Sequence, residues 1–192
     1  MRVQALAVLL SQLDEDVLHL LNHAGESPLA DVVFVVFTLL GMFTVTLMAA
    51  PFLWAKDKRD SAFDLVLSVI IVSVLVGLVK LAVIRDRPFE SLDGAVQTIS
   101  FYGLAETSGS SFPSGHAARI FAVATIISLN VRFPAKVASL AIAVMVALSR
   151  VFLGLHWPTD VLAGALLGIL VAFALARLGP VWRPYSTFRH RV

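Results

Sequence analysis

Three short strings in this sequence combine cationic, imidazole and carboxylate side chains at fixed spacings. They are Lys80-x6-Arg87-Pro88, Pro113-Ser114-Gly115-His116 and Ser149-Arg150-x5-His156-x3-Asp160. Cationic side chains and backbone amides bind phosphate oxygens, and an imidazole held by a carboxylate can act as a base or as a nucleophile. The residue types therefore indicate a site that binds a phosphate group and cleaves it from a larger molecule.

The first string places Lys80 and Arg87 seven residues apart, which is about two helical turns. The two side chains share a face if a helix continues that far, but Pro88 indicates that the helix ends there. An ammonium and a guanidinium can hold a tetrahedral anion, the guanidinium through two parallel hydrogen bonds. Taken alone, this pair is explained equally well by two long side chains that extend to a membrane surface.

The second string precedes an apolar run. Ser114 is expected to cap the following helix, and Gly115 allows the backbone to approach a ligand closely. His116 then lies at the mouth of the helical bundle. The alternative interpretation is an ordinary capping turn with a histidine at the membrane interface.

The third string places a carboxylate four residues after an imidazole. At this spacing Asp160 can fix the tautomer of His156 and raise its basicity. Arg150 lies at membrane depth, where an unpaired cation is unfavourable. It is expected to bind an anionic ligand, with a structural salt bridge to Asp160 as the alternative.

The composition is that of a membrane protein. Of the 192 residues, 58% are hydrophobic and 15% are charged, and the mean hydropathy is +0.88, values outside the range of soluble domains. The net charge of +2 gives nucleic-acid binding no electrostatic support, and the absence of cysteine excludes disulfides and thiolate metal sites. A charged side chain at the centre of a span costs about 2.5–3.5 kcal/mol, so the cations of the three strings require an explanation.

Five apolar runs predict five membrane-spanning helices, over residues 32–54, 65–84, 116–131, 137–155 and 161–176. Between Leu6 and Leu21, leucine and valine recur at three- and four-residue steps. This pattern predicts an amphipathic helix that lies at the membrane interface. Gly164-x3-Gly168 indicates close packing of the last helix against a neighbour. We therefore predict an all-α integral membrane bundle that forms a single domain over residues 1–192, with its signature region at residues 80–160.

Basic residues in the short loops predict the orientation of the bundle. They follow the first, third and fifth predicted spans, at Lys56, Lys58, Arg59, Arg132, Lys136, Arg177, Arg183, Arg189 and Arg191. These segments share one side, which their charge indicates to be cytoplasmic. The three strings then meet at the opposite face. We expect a protein of the plasma (inner) membrane whose site faces the outside or the periplasm.

At these positions the chain resembles the type 2 phosphatidic acid phosphatase superfamily. The signature of that family is Lys-x6-Arg-Pro, Pro-Ser-Gly-His and Ser-Arg-x5-His-x3-Asp, and every fixed position matches here. Members of the family hydrolyse phosphate monoesters or diphosphates on lipids without a metal. The predicted arrangement of helices is most similar to that of its small bacterial undecaprenyl-diphosphate phosphatases.

The resemblance implies a role for each matched residue. His156 would be the nucleophile that forms a phosphohistidine, with Asp160 orienting it. His116 would protonate the leaving oxygen and then activate water. The phosphoryl oxygens would be held by the remaining matched positions, Lys80, Arg87, Ser114, Gly115 and Arg150. Neither a metal nor another cofactor is expected.

The resemblance leaves the substrate open. The first expectation is a polyprenyl diphosphate of the undecaprenyl type, and the second is phosphatidic acid or phosphatidylglycerol phosphate. A lipid phosphotransferase differs only in its acceptor. A transporter of anionic lipids is the alternative from a different class, although transport would need cations and no nucleophile. The expected partners are a lipid phosphate and the bilayer, with the oligomeric state undetermined.

Two further groups of polar residues receive simpler interpretations. His19 and His23 have the spacing of a metal-binding pair, but on an interfacial helix they are expected to form its wet face together with the acids Asp14, Glu15 and Asp16. Arg85 is expected either to pair locally with Asp86 or to contact a second phosphate.

Overall fold

All regular structure in the described part of the chain is helical. The computed structural model describes residues 2–23, 27–92, 95–96, 109–179, 181 and 186. Within them the helices are α1 (Arg2–Asn22), α2 (Pro28–Leu40), α3 (Phe43–Leu47), α4 (Ala49–Ala55), α5 (Arg59–Ala82), α6 (Pro88–Ser91), α7 (Gly115–Asn130), α8 (Phe133–Phe152) and α9 (Pro158–Leu178). The predicted all-α membrane bundle is confirmed.

Three of these helices, α5, α8 and α9, are long and apolar enough to cross a membrane. A fourth span is present if α2 is counted together with the segment Phe43–Ala55. α7 contains only 16 residues, so the predicted total of five spans depends on whether this shorter helix also crosses. The total of five therefore stays a prediction.

The run of residues 32–54, predicted as one membrane-spanning helix, is bent. Its two parts, Pro28–Leu40 and Phe43–Ala55, meet at 61°. A break in a helix leaves carbonyl groups without their usual partners, and here Nε of Arg119 donates to the carbonyl oxygen of Gly41 at 3.1 Å. A Cβ on Gly41 would lie 2.8 Å from both His116 Cδ2 and Val146 Cγ1. The predicted span is therefore interrupted at Gly41, where the bend packs closely against α7 and α8, and whether its two parts cross the membrane as one span stays a prediction.

The core of the bundle is built around α7, which packs against α5, α8 and α9. Its interior is apolar, with a cluster that includes Leu65, Val69, Val72, Ala122, Val123 and Ile126. The predicted small-residue packing is found between α9 and α7. A side chain at Gly164 would collide with the carbonyl oxygen of Ser114, and one at Gly168 with that of Ala118. The two glycines therefore allow direct backbone contact between α7 and α9.

α1 forms the predicted N-terminal helix and presents two different faces. Its large apolar side chains are exposed, among them Leu6, Leu9, Leu13 and Leu20. Asp14, Leu18 and Asn22, spaced four residues apart, are buried against the rest of the molecule. The exposed leucines are suited to a membrane interface, and the position of α1 there stays a prediction. The expectation that Asp14 belongs to a wet face was wrong.

Candidate active site

The first string does not lie on one continuous helix. α5 ends at Ala82, so Lys80 lies in its last turn, whereas Arg87 follows an extended segment and immediately precedes α6. Lys80 Nζ donates to the carbonyl oxygen of Ser110 at 2.8 Å. Arg87 is fully buried, and its Nη1 donates to the carbonyl oxygen of Leu155 at 2.9 Å. The guanidinium therefore lies beside the turn that carries His156.

The second string forms the entry to α7. The backbone N–H of Ser114 donates to the carbonyl oxygen of Asp160 at 3.0 Å, which joins this string to the third. Ser114 occupies the N-cap position, but its side chain makes no capping hydrogen bond. Its Oγ is buried and has no hydrogen-bond partner among the described residues. The predicted cap was therefore wrong, and the hydroxyl is available to a ligand.

The third string folds back on itself after α8. The backbone N–H groups of Leu155 and His156 both donate to the carbonyl oxygen of Arg150, at 3.1 and 3.2 Å. Gly154, with φ of 66°, supplies the left-handed residue that this reversal requires. Arg150 is fully buried and donates from Nη1 to Thr38 Oγ1 at 2.8 Å. This turn brings His156 back to the level of the arginine.

His156 and Asp160 face each other, as their spacing predicted. Nδ1 of His156 lies 3.5 Å from Oδ2 of Asp160, and both side chains are completely buried. Oδ2 also accepts from the backbone N–H of Trp157 at 2.9 Å. The alternative salt bridge between Arg150 and Asp160 is not found, since the arginine that binds Asp160 is Arg85, with Nη1 and Oδ1 2.5 Å apart.

The surroundings of His156 keep its imidazole neutral. Its pKa is lowered from 6.5 to about 4, chiefly by burial and also by the positive charges of Arg150 and Arg87, while Asp160 acts in the opposite direction. A neutral imidazole whose Nδ1 proton is directed at Asp160 has its lone pair on Nε2. Both ring nitrogens are buried and neither makes a hydrogen bond among the described residues, because Nδ1 approaches Asp160 only at the 3.5 Å of an ion-pair contact. The free lone pair is what a nucleophile needs.

The structure brings the three strings together around the two histidines. Arg150, Arg119, His156 and Lys80 all lie close enough to His116 for their charges to act on it. Arg150 and Arg87 likewise lie close enough to His156 for their charges to act on it. His116 itself is only 7% exposed. Two imidazoles and a group of cations thus enclose one small region, which is suited to a phosphoryl group.

Several contacts of polar residues in this region were not predicted. Arg85 does not pair with Asp86; it binds Asp14 as well as Asp160. Thr38, on α2, holds Arg150. Nη2 of Arg119 lies 3.5 Å from Nδ1 of His116. The contacts of Arg85 and Thr38 join segments that are distant in sequence, so spacing along the chain gives no signal for them. Arg119 and His116 are three residues apart on α7, a spacing that places neighbouring side chains on one helix face.

Metal-binding side chains are not grouped in the described ranges. No set of three or more histidine, aspartate or glutamate side chains there could hold a metal ion. The rings of His19 and His23 stack with their centroids 5.8 Å apart, and Nε2 of His23 lies 3.2 Å from the carbonyl oxygen of Ala95. The cationic groups named above are therefore the positive charges that the described site offers to an anion.

Comparison with known proteins gives a consistent result. The sequence profile of the PAP2 superfamily matches residues 61–184. The undecaprenyl-diphosphatase of Sulfolobus acidocaldarius is 31% identical over 129 residues, which cover 66% of this chain and 60% of that protein. The lipid A 1-phosphatase of Rhizobium johnstonii is 34% identical over 122 residues, which cover 60% of this chain and 48% of that protein. The chain thus spans between 48% and 60% of the length of these curated relatives.

A solved structure matches more completely. The crystal structure of Aquifex aeolicus LpxE superimposes with a TM-score of 0.77 at 30% sequence identity. The match covers 86% of this chain and 95% of that one. The similarity therefore includes most of the bundle as well as the three strings.

Proposed function

The chain belongs to the PAP2 superfamily, and from this premise we propose that it is an integral-membrane lipid phosphatase that works through a phosphohistidine. The observation that carries the proposal is the buried pair of His156 and Asp160. A neutral imidazole, held by a carboxylate and placed beside buried arginines, has no evident structural purpose. It is well suited to attack a bound phosphoryl group.

In the first step the phosphoryl group moves from the lipid to the enzyme. Nε2 of His156 attacks phosphorus, the Nε2–P bond forms and the P–O bond to the leaving group breaks. His116, which must enter this step as the protonated imidazolium, gives its proton to the leaving oxygen and becomes neutral. With a diphosphate substrate the leaving group is the lipid monophosphate, and with a monoester it is the lipid alcohol.

In the second step water replaces the lipid. The neutral His116 removes a proton from water, whose oxygen attacks phosphorus as the Nε2–P bond breaks. Inorganic phosphate leaves, and His156 returns to its neutral state. Charge on the phosphoryl oxygens in both steps is stabilised by the proposed phosphate-binding groups, Lys80, Arg87, Arg150, the Ser114 hydroxyl and the Gly115 amide. No metal takes part in this scheme.

We propose a polyprenyl diphosphate of the undecaprenyl type as the substrate. Support comes from the relative in Sulfolobus acidocaldarius that carries this activity in its name. The lipid A 1-phosphatase of Rhizobium johnstonii supports a second candidate, a phosphorylated glycolipid. Phosphatidic acid, phosphatidylglycerol phosphate and transfer to a second lipid use the same two steps with a different leaving group or acceptor.

The substrate assay uses purified protein in chelator, with a panel of lipid monophosphates and diphosphates. Phosphate release that is fastest from the polyprenyl diphosphate supports the proposal. Faster release from another lipid would contradict the proposed substrate and would leave the proposed mechanism unchanged. Binding of these lipids without any phosphate release would favour the anionic-lipid transporter instead. Loss of release in chelator, restored by magnesium, would contradict the metal-free scheme.

We also propose that the site opens at the outer face of the membrane, as the basic loops require. Ser91 and Lys136 are exposed, and the chain contains no natural cysteine. In intact cells an impermeant thiol reagent should label Ser91→Cys and should label Lys136→Cys only after the membrane is opened. The reverse pattern would place the site on the cytoplasmic side.

A further inference from the structure

One acid on α1 is buried although its neighbours are exposed. The side chain of Asp14 is 4% exposed, whereas Glu15 and Asp16 beside it are exposed. Asp14 Oδ1 accepts from the backbone N–H of Thr159 at 2.9 Å. Its Oδ2 accepts from Thr159 Oγ1 at 2.5 Å and from Arg85 Nη2 at 2.6 Å. A buried carboxylate is unfavourable unless it is paired, and here three donors satisfy it.

Arg85 connects this acid to the proposed catalytic carboxylate. While Nη2 binds Asp14, Nη1 donates to Asp160 Oδ1 at 2.5 Å and to Thr159 Oγ1 at 2.8 Å. The guanidinium also lies over the ring of Trp157, 5.4 Å from the ring centroid. Its two ends and one face are thus fixed by three different groups. This is far more restraint than a surface arginine experiences.

The two oxygens of Asp160 have separate partners. Oδ1 is occupied by Arg85, while Oδ2 accepts from the Trp157 N–H and faces His156. The rotation of the carboxylate, and so the direction in which Oδ2 points, is fixed by the bond from Arg85 to Oδ1. Asp14 in turn fixes the guanidinium. A continuous chain of contacts therefore runs from α1 through Arg85 and Asp160 to His156.

We propose that Asp14 and Arg85 are positioning residues for catalysis, acting through Asp160 on His156. The proposal rests on the phosphatase function proposed above. Neither residue is expected to touch the phosphate, so their loss should lower kcat and leave KM nearly unchanged. The N-terminal helix then contributes to turnover, although it lies outside the three strings.

Arg85 also balances charge near His156. The charged and titratable groups that face this imidazole are Arg150 on α8, Arg87 before α6, His116 on α7 and Asp160 on α9. Without Arg85 the full negative charge of Asp160 would act on His156 and would raise its pKa. In a plot of kcat against pH, the fall in kcat on the acid side should therefore move to higher pH in Arg85→Gln and stay in place in Arg85→Lys. This fall is called the acid limb below. A purely structural loss would lower kcat at every pH without moving the limb.

The test compares variants of the full-length protein on a lipid diphosphate and on an activated aryl phosphate. Arg85→Gln should lower kcat about 10- to 100-fold, by analogy with lost outer-shell partners. Asp14→Asn should lower it about 2- to 30-fold. Asp16→Asn makes the same charge change at an exposed position of the same helix and should stay within about twofold. Thermal unfolding in detergent identifies any variant that fails to fold.

A double variant separates positioning from general destabilisation. If Asp14 acts through Arg85, then Asp14→Asn should have little further effect on kcat when Arg85 is already glutamine. Arg85 also lines a groove of about 300 Å³ together with Asp14 and Trp157. Arg85→Ala should therefore regain turnover when guanidinium ions are added at low concentration, which would not repair a misfolded protein.

The outcomes distinguish this inference from the phosphatase function. If the wild-type protein releases no phosphate from any substrate, the proposed phosphatase function itself is contradicted. An active wild type in which Asp14→Asn matches Asp16→Asn, or in which the effects of Asp14→Asn and Arg85→Gln on kcat simply multiply, would overturn the positioning role. An unmoved acid limb in Arg85→Gln, or no recovery of Arg85→Ala with guanidinium, would also overturn it.

Discussion

α7 passes through two different environments along its length. At its beginning, the catalytic end (Ser114, His116, Arg150, His156 and Asp160) consists of buried polar and charged groups. Further along, the packing seam (Ala118, Ala122, Gly164 and Gly168) consists of backbone and small apolar groups. The two regions share the Ser114 carbonyl, which a side chain at Gly164 would strike.

The difference between these regions reflects two kinds of energy. Complete burial of a charged arginine has a desolvation cost of several kcal/mol per ion, which favours function over stability as the reason for its presence. In the seam, close backbone contact between helices contributes stability through dispersion. We therefore expect changes at the catalytic end to alter turnover more than folding, and changes in the seam to do the reverse.

The largest effect on turnover is expected from His156→Ala. Because this change removes the attacking nitrogen, phosphate release from every substrate should fall to the background rate, while the helical fold is kept. Release is measured with a lipid diphosphate and with an aryl phosphate, and folding by thermal unfolding in detergent. Substantial release by a folded His156→Ala protein would contradict the proposed nucleophile.

His116→Ala should have a smaller effect that depends on the leaving group. Loss of a general acid costs about 10²–10⁴-fold, and most with a lipid alkoxide, which leaves poorly without a proton. The variant should retain more relative activity on an aryl phosphate or a diphosphate than on phosphatidic acid. An equal loss on all three substrates would show that His116 does not protonate the leaving group.

Gly168→Ala should affect folding more than chemistry. The added methyl would collide with the carbonyl oxygen of Ala118, and overpacking of this kind costs about 1–3 kcal/mol. Gly77→Ala is the matched control, because a Cβ at Gly77 has no atom within 4 Å. Thermal unfolding in detergent should show a clear loss for Gly168→Ala and none for Gly77→Ala. Equal unfolding temperatures in the two variants would contradict the role of the seam.

The last prediction is a pH dependence of stability that belongs to the catalytic end. The pKa of His156 is lowered to about 4 in the folded protein, whereas an unfolded histidine has a pKa of about 6.5. Between these pH values the unfolded chain binds more protons than the folded protein. The contribution of His156 to the free energy of unfolding is therefore fully present above pH 6.5 and is lost as the pH falls towards 4. The decrease in unfolding temperature from pH 7.5 to 4.5 should be smaller in His156→Asn than in wild type and unchanged in Gly77→Ala. Identical decreases in all three would contradict the buried neutral imidazole.

The sequence predicted those features that depend on local spacing. The four-residue spacing of His156 and Asp160 predicted their contact. The two glycines of α9 predicted that this helix packs closely against a neighbour, which is α7. The meeting of the three strings followed from counting helices and placing each string at the end of one. The bend in the run of residues 32–54 does not change that order.

The remaining features depend on contacts between distant segments. Asp14 looked like one of three consecutive acids on a wet face, and only the packing of α1 against α9 buries it. Arg85 lies one residue from Asp86, yet its partners are 71 and 75 residues away. Ser114 has the type and position of a helix cap, but its hydroxyl is buried and makes no capping hydrogen bond. These contacts are determined by tertiary packing, which the local sequence pattern does not predict.

The central claim, a phosphoryl group carried by His156, is tested most directly by trapping the intermediate. Substrate labelled in its terminal phosphate is mixed with wild type, His116→Ala and His156→Ala and quenched in alkali, and the label is assigned by peptide mapping. Arg119 and Arg150 separate the two histidines into different tryptic peptides. Label is predicted on the His156 peptide, increased in His116→Ala and absent in His156→Ala. Label on the His116 peptide, or turnover by wild type without any labelled peptide, would contradict the account.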